Sequence, residues 1–292
     1  DQYALLSDAS VSGSILSTTD TSELGILNAL PQSLPYRLLE VKSSLLLGEY
    51  GGSNIWLAKL FDTENIEVVQ ENQRYIDFMK DEFREESGGI FVAEELATHT
   101  TNPRLFLEQD REAYDLIQLV SAEHMPAASG GLASLNENYL LTVSSIQSAV
   151  RRLTPNGVIA ISRGLQTPPR DNIRVLAIFN QALKEMGFEN PGRHVLQARN
   201  YLSVISLCFA EPVSKSLLAS FRSICEELRM DIEWAGGFDF EKAKQINIIP
   251  GPEDKSYSYL RFAAKEIFGG NAEGFFKNWA YSVGPVSDDK PF

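Results

Sequence analysis

Cysteine and histidine are scarce in this chain of 292 residues, which holds two of the first and three of the second. Cys208 lies in the apolar run SVISLCFA and Cys225 in the helical-looking FRSICEEL. Both read as small core residues of a reducing compartment rather than as a disulfide or metal pair. His99, His124 and His194 stand far apart, with no ligand spacing to cysteine or carboxylate, so no metal site is expected. No apolar run approaches the roughly 20 residues that cross a bilayer. The opening DQYALLSDAS lacks the basic start and apolar core of a signal peptide. Basic residues are also short: 26 against 39 acidic ones, a net charge of −13, the wrong sign for a nucleic-acid backbone partner. Such a surface suits a cationic substrate or product, and equally suits plain solubility. A cytoplasmic chain without membrane contact of its own is expected. It begins without methionine and ends at SDDKPF, as a piece of something longer would.

What is present is an ordinary globular composition, 43% hydrophobic and 22% charged, which excludes wholesale disorder. The first twenty residues alternate loosely and predict short strands or a hairpin. Thr21 to Leu39 has helical spacing, interrupted by Pro31 and Pro35. An alternating pattern then begins. SLLLG is a strand and Ser53 to Phe61 a helix, IEVVQ a strand and Asn72 to Glu85 a helix, GIFVAEE a strand and PRLFLEQ a helix. YDLIQLV is the fourth strand, Asn136 to Leu153 a helix stopped at TPNG, and GVIAISR the fifth strand. Asp171 to Met186 is another helix, and RHVLQAR with LSVISLCFA a closing strand pair. Strands alternating with helices predict a mainly parallel α/β sheet of seven strands, covered on both faces. Beyond Glu211 come a helix, the short strand DIEWA, and helices near 256–268 and 272–280. The expected division is an N-terminal region over 1–40, a central domain over 41–210 and an appendage over 211–292.

Ligands of open parallel sheets bind at the carboxyl ends of the strands, so four strand ends matter. The first is LLLGEYGG, where Gly48, Gly51 and Gly52 allow a tight turn and the next helix offers free N–H groups. The second ends at Gln70, followed by Glu71, 22 residues after Gly48. An acidic residue there commonly accepts from ribose hydroxyls; a solvated polar strand end is the other reading. The third carries Asn102, fit to meet a purine edge or to cap the helix that starts at Pro103. The fourth is followed by Val120, Ser121, Glu123 and His124, where chemistry on an amine would need a proton acceptor.

Together these pieces resemble the spermidine synthase family and its bacterial relatives fused to membrane segments. SLPYRLLEVKSSLLLGEYGG is similar to the approach to that family's first strand. The segment from AYDLIQLV to GVIAISR matches its fourth and fifth strands, and QTPPRDNIRVLAIFNQAL and SDDKPF resemble the fused relatives. LNENYLLT and PPRD are the most specific parts, because no general rule of secondary structure requires them. The resemblance implies a Rossmann-like methyltransferase fold built to bind an adenosyl sulfonium compound, S-adenosylmethionine or its decarboxylated form. In true spermidine synthases the aminopropyl group passes from the latter to putrescine. The cofactor-binding positions it implies are Gly48, Glu49, Tyr50, Gly51, Gly52, Gln70, Glu71 and Asn102.

Several of them depart from the family pattern. The turn usually reads G-G-G-D-G, so Glu49 and Tyr50 replace glycines and Gly51 the acid. The ribose-binding acid falls on Gln70, the next on Asn102, and the expected proton acceptor on Val120; Asp115 alone clearly remains. Two readings follow. One is alkyl transfer from an adenosyl sulfonium, with Glu123, His124 or Tyr139 in place of the missing acid. The other, which the altered turn favours, is a non-catalytic module that binds a nucleotide, polyamine or protein partner, as the soluble part of a larger membrane protein. Homo-oligomers are common in the family. Arg163 and Arg170 flank the exit of the fifth strand, where they would hold an anion or pair with carboxylates.

Overall fold

Eight strands, not seven, form the central sheet of the computed structural model, which describes residues 2–7, 10–109, 112–120, 139–240, 245–248 and 258–291. Strands β1 (Gln2–Ser7) and β2 (Ser10–Leu16) make a separate antiparallel hairpin. Short helices α1 (Gly25–Asn28) and α2 (Leu34–Leu38) follow; the break between them holds a 3-10 turn opened by Pro31, whereas Pro35 is accommodated in the first turn of α2. The sheet then builds through β3 (Ser43–Leu47), β4 (Asn65–Val69), β5 (Leu96–His99), β6 (Tyr114–Leu119) and β7 (Leu153–Gly164). It closes with β8 (Val195–Arg199), β9 (Ser203–Phe209) and β10 (Asp231–Ala235). The spatial order is β10-β8-β9-β7-β6-β3-β4-β5. The first five strands are parallel, β9 runs antiparallel to β7 and β8, and β10 antiparallel to β8. Order reverses between β3 and β6, which makes their carboxyl ends the switch point where a Rossmann-like sheet binds ligands. This is a methyltransferase-type arrangement with one strand added, DIEWA having joined the sheet edge.

The helices are α3 (Ser53–Leu60), α4 (Gln73–Lys80), α5 (Pro103–Gln109), α6 (Val143–Arg151), α7 (Asp171–Glu185), α8 (Lys215–Glu227), α9 (Tyr259–Phe268) and α10 (Ala272–Asn278). Side chains alternate across each strand, so both faces need apolar residues. Leu45, Leu47, Ile117, Leu119, Ile159 and Ile161 pack toward α6, α7 and α9. Leu46, Leu116, Val158 and Ala160 pack toward α3 and α8 on the opposite face. Asn72, Thr142, Ser214 and Ser258 cap α4, α6, α8 and α9, each accepting from a backbone N–H of the first turn.

The expected third strand is displaced. GIFVAEE forms a 3-10 turn at Ile90–Val92 after Gly88 and Gly89, both at positive φ, and the strand is the less apolar LATH. Ile90 and Phe91 are apolar because they are buried beneath the first strand-to-helix turn, at 2% exposure each, not because they pair in a sheet. Helix α4 also stops at Lys80, five residues before the expected end. Strand β7 begins before TPNG, which is absorbed as a register shift opposite β6.

Asp115 ties the strand starts together. Its Oδ2 accepts from the N–H groups of Lys42 and Ser43 at 3.0 and 3.1 Å, and its Oδ1 from Thr154 Oγ1 at 2.8 Å. Hydrogen bonds to a charged group contribute about 1.5–3 kcal/mol, so Asp115→Ala is expected to cost that much in urea unfolding. A loss under about 0.5 kcal/mol, the scale of an ordinary surface substitution, contradicts this role.

Candidate functional site

Strand β3 delivers the chain into the turn at Gly48, whose φ of +79° and N–H bond to Val69 O at 2.8 Å start the reversal. Gly52, at φ +77°, precedes α3. Between them stands Glu49, 1% exposed, with its carboxylate turned inward. Oε1 accepts from Gly52 N at 2.7 Å, and Oε2 from Asn54 Nδ2 at 2.6 Å. Asn54 Oδ1 accepts in turn from Gln118 Nε2 on β6 at 2.8 Å. The N–H groups of Tyr50 and Gly51 also bond the Glu49 carboxyl. Consecutive backbone N–H groups of such a turn form a concavity for an anion, and here the chain supplies its own. Burial pushes the Glu49 pKa up, while Asn54 and the three N–H groups oppose the shift.

Gln70, at the end of β4, is 2% exposed. Its Nε2 donates to Glu49 O at 3.1 Å and its Oε1 accepts from Asn72 N at 3.1 Å, so both ends of the amide are used within the turn. Glu71 is exposed and accepts from Asn102 Nδ2 across the ends of β4 and β5. Asn102 Oδ1 accepts from Arg104 N and Leu105 N at 3.0 and 3.2 Å, capping α5. The cap and the link to Glu71 coexist on one side chain. Tyr50 lies half-buried with its ring 5.7 Å from that of Tyr75, which meets Phe91 edge-on at 6.4 Å. Burial, then the nearby Glu49 charge, raises the Tyr75 pKa.

The N-terminal hairpin covers the turn from above. Ile15 forms an antiparallel bridge with Gly52, and a Cβ on Gly51 would lie 2.1 Å from Ser14 O. Glycine is required at 51 by this close approach of backbone. A sequence reading assigns Gly51 to a ligand, since nothing in the spacing reveals that β2 takes the space.

Val120, at the end of β6, is 5% exposed and cannot take a proton. Ser121, Glu123 and His124 lie outside the described residues. Tyr139 opens a 3-10 turn, 41% exposed, just before the Thr142 cap. Arg163 and Arg170 both bond Asp171, at 3.1 and 3.0 Å, which realises the carboxylate pairing rather than a bare anion site. Among the described residues, no group of three or more His, Cys, Asp or Glu side chains could hold a metal ion, and no helix is long and apolar enough to cross a membrane.

One contact escaped the sequence reading. Asp288, of SDDKPF, accepts from Thr142 Oγ1 at 2.6 Å and from Arg104 at 3.2 Å. Partial burial opposes ionisation, yet the bonds from Thr142 and Ser144 and the Arg104 charge hold its pKa below the usual value. Thr142, the last residue of LNENYLLT, and Asp288 of SDDKPF therefore meet at the start of α6. Their shared specificity was the available signal.

No family model and no curated protein matches the sequence. Among solved structures the chain is similar to spermidine synthase from Thermotoga maritima, 15% identical with a TM-score of 0.47, over 84% of this chain and 73% of that one. A probable spermidine synthase from Corynebacterium glutamicum is 14% identical, TM-score 0.45, over 71% and 67%. Human methyltransferase-like protein 13, in complex with SAH, is 16% identical, TM-score 0.42, over 75% and 96%.

Two outcomes follow from the turn. Gly51→Ala should displace β2, costing about 1–3 kcal/mol, the range for overpacking. Hydrogen exchange at Ile15 should accelerate, and unchanged exchange contradicts the hairpin contact. For Glu49, the folded chain holds the proton more tightly than the unfolded chain. Its favourable contribution is therefore present below the ordinary carboxylate pKa and lost as pH rises through the raised value. Between about pH 4 and pH 8, the stability of Glu49→Gln should fall less than that of wild type in urea unfolding. Parallel pH profiles contradict the assignment.

Proposed function

We propose that the chain is a spermidine-synthase-like domain whose adenosyl-sulfonium site is degenerate, with weak or absent aminopropyl transfer, and that it serves as a binding or regulatory module. The observation that carries this reading is the Glu49 carboxylate held at 2.7 Å from Gly52 N, in the anion-binding concavity of the turn. A ligand entering there must displace a buried carboxylate and break its bonds to Asn54 and the backbone. Gln70 supports the same reading, because both ends of its amide are committed and it brings no charge to a ribose. Val120 supports it from the side of chemistry: the sulfonium is already a good leaving group, so the protein's task is to align and deprotonate an amine, and valine cannot accept a proton.

A second reading, alkyl transfer from S-adenosylmethionine or its decarboxylated form, is favoured by one observation. Glu71 and Asn102 are joined at the exposed ends of β4 and β5, where a ribose and a purine edge would lie. Tyr139, Glu123 or His124 would then supply the proton acceptor. In either reading we place the domain in the cytoplasm, as the soluble part of a larger membrane protein. The buried free thiols support a reducing compartment, Cys208 with its pKa pushed up to about 12 by burial.

Calorimetry with S-adenosylmethionine, its decarboxylated form and methylthioadenosine separates the readings. The expected outcome is no binding tighter than about 1 mM and no turnover of the decarboxylated donor with putrescine. Micromolar binding together with turnover overturns the non-catalytic reading.

A further inference from the structure

We draw no further inference here: the strongest candidate, the surface patch of Tyr201 and Leu202 at the β8–β9 turn with Ile246 and Ile248 beyond the Arg199 guanidinium that bonds the carbonyls of Asn200 and Asn247, is an exposed apolar face, and nothing in the structure shows what covers it.

Discussion

The buried carboxylate of Glu49 is the interaction on which the ligand end of this sheet depends. A carboxylate taken out of water must be surrounded by donors, and here the donors come from three separate parts of the chain. Gly52 N belongs to the turn, Asn54 to the helix that follows, and Gln118, through Asn54, to the neighbouring strand β6. Gln70 adds β4 by bonding the Glu49 carbonyl. One side chain thus fixes the geometry of the switch point. The N-terminal hairpin can lie against Gly51 and Gly52 because the turn beneath is held in one shape. A carboxyl group supplied from within satisfies N–H groups that the turn would otherwise present to solvent or ligand.

The other edge of the sheet is held by charge as well. Arg199 on β8 bonds Glu233 on β10 at 2.6 Å and lies 3.4 Å from Asp231, with all three side chains almost fully buried. Asp231 also accepts from the N–H groups of Ile246 and Asn247, at 2.6 and 2.8 Å. Removing one member of such a set leaves an uncompensated charge in the interior, so the three stand or fall together. This cluster explains why DIEWA, short and acidic at two of its five positions, pairs as an eighth strand. Asp288 plays a comparable part near the site, binding the C-terminal segment to the start of α6 through Thr142.

Most of the sheet was legible because burial on both faces leaves a simple mark in the sequence: near-continuous apolar strands with amphipathic helices between them. β3, β4, β6 and β9 carry that mark, as do α5 and α7. β5 does not, since LATH is an edge strand with one neighbour and partial exposure. Its place was taken in the reading by GIFVAEE, whose apolar residues serve a packing contact with Gly52 that only the folded chain brings about. At the site, the positions were legible and the partnerships were not. Spacing marks Glu49, Gln70 and Asn102 as strand-end residues. It does not say that the first turns inward, that the second holds the first, or that the third both caps α5 and meets Glu71.

By itself, then, the sequence determined a mainly parallel α/β sheet, the places where its strands end and the residues Glu49, Gln70, Asn102 and Val120 that stand there. These follow from local periodicity and residue identity, which act over a few residues and survive without tertiary context. The tertiary structure alone decided what fills the turn, what covers it, and that SDDKPF reaches Thr142. Those contacts join residues distant in the chain, and their energies come from burial and directed hydrogen bonds that exist only once the sheet has formed.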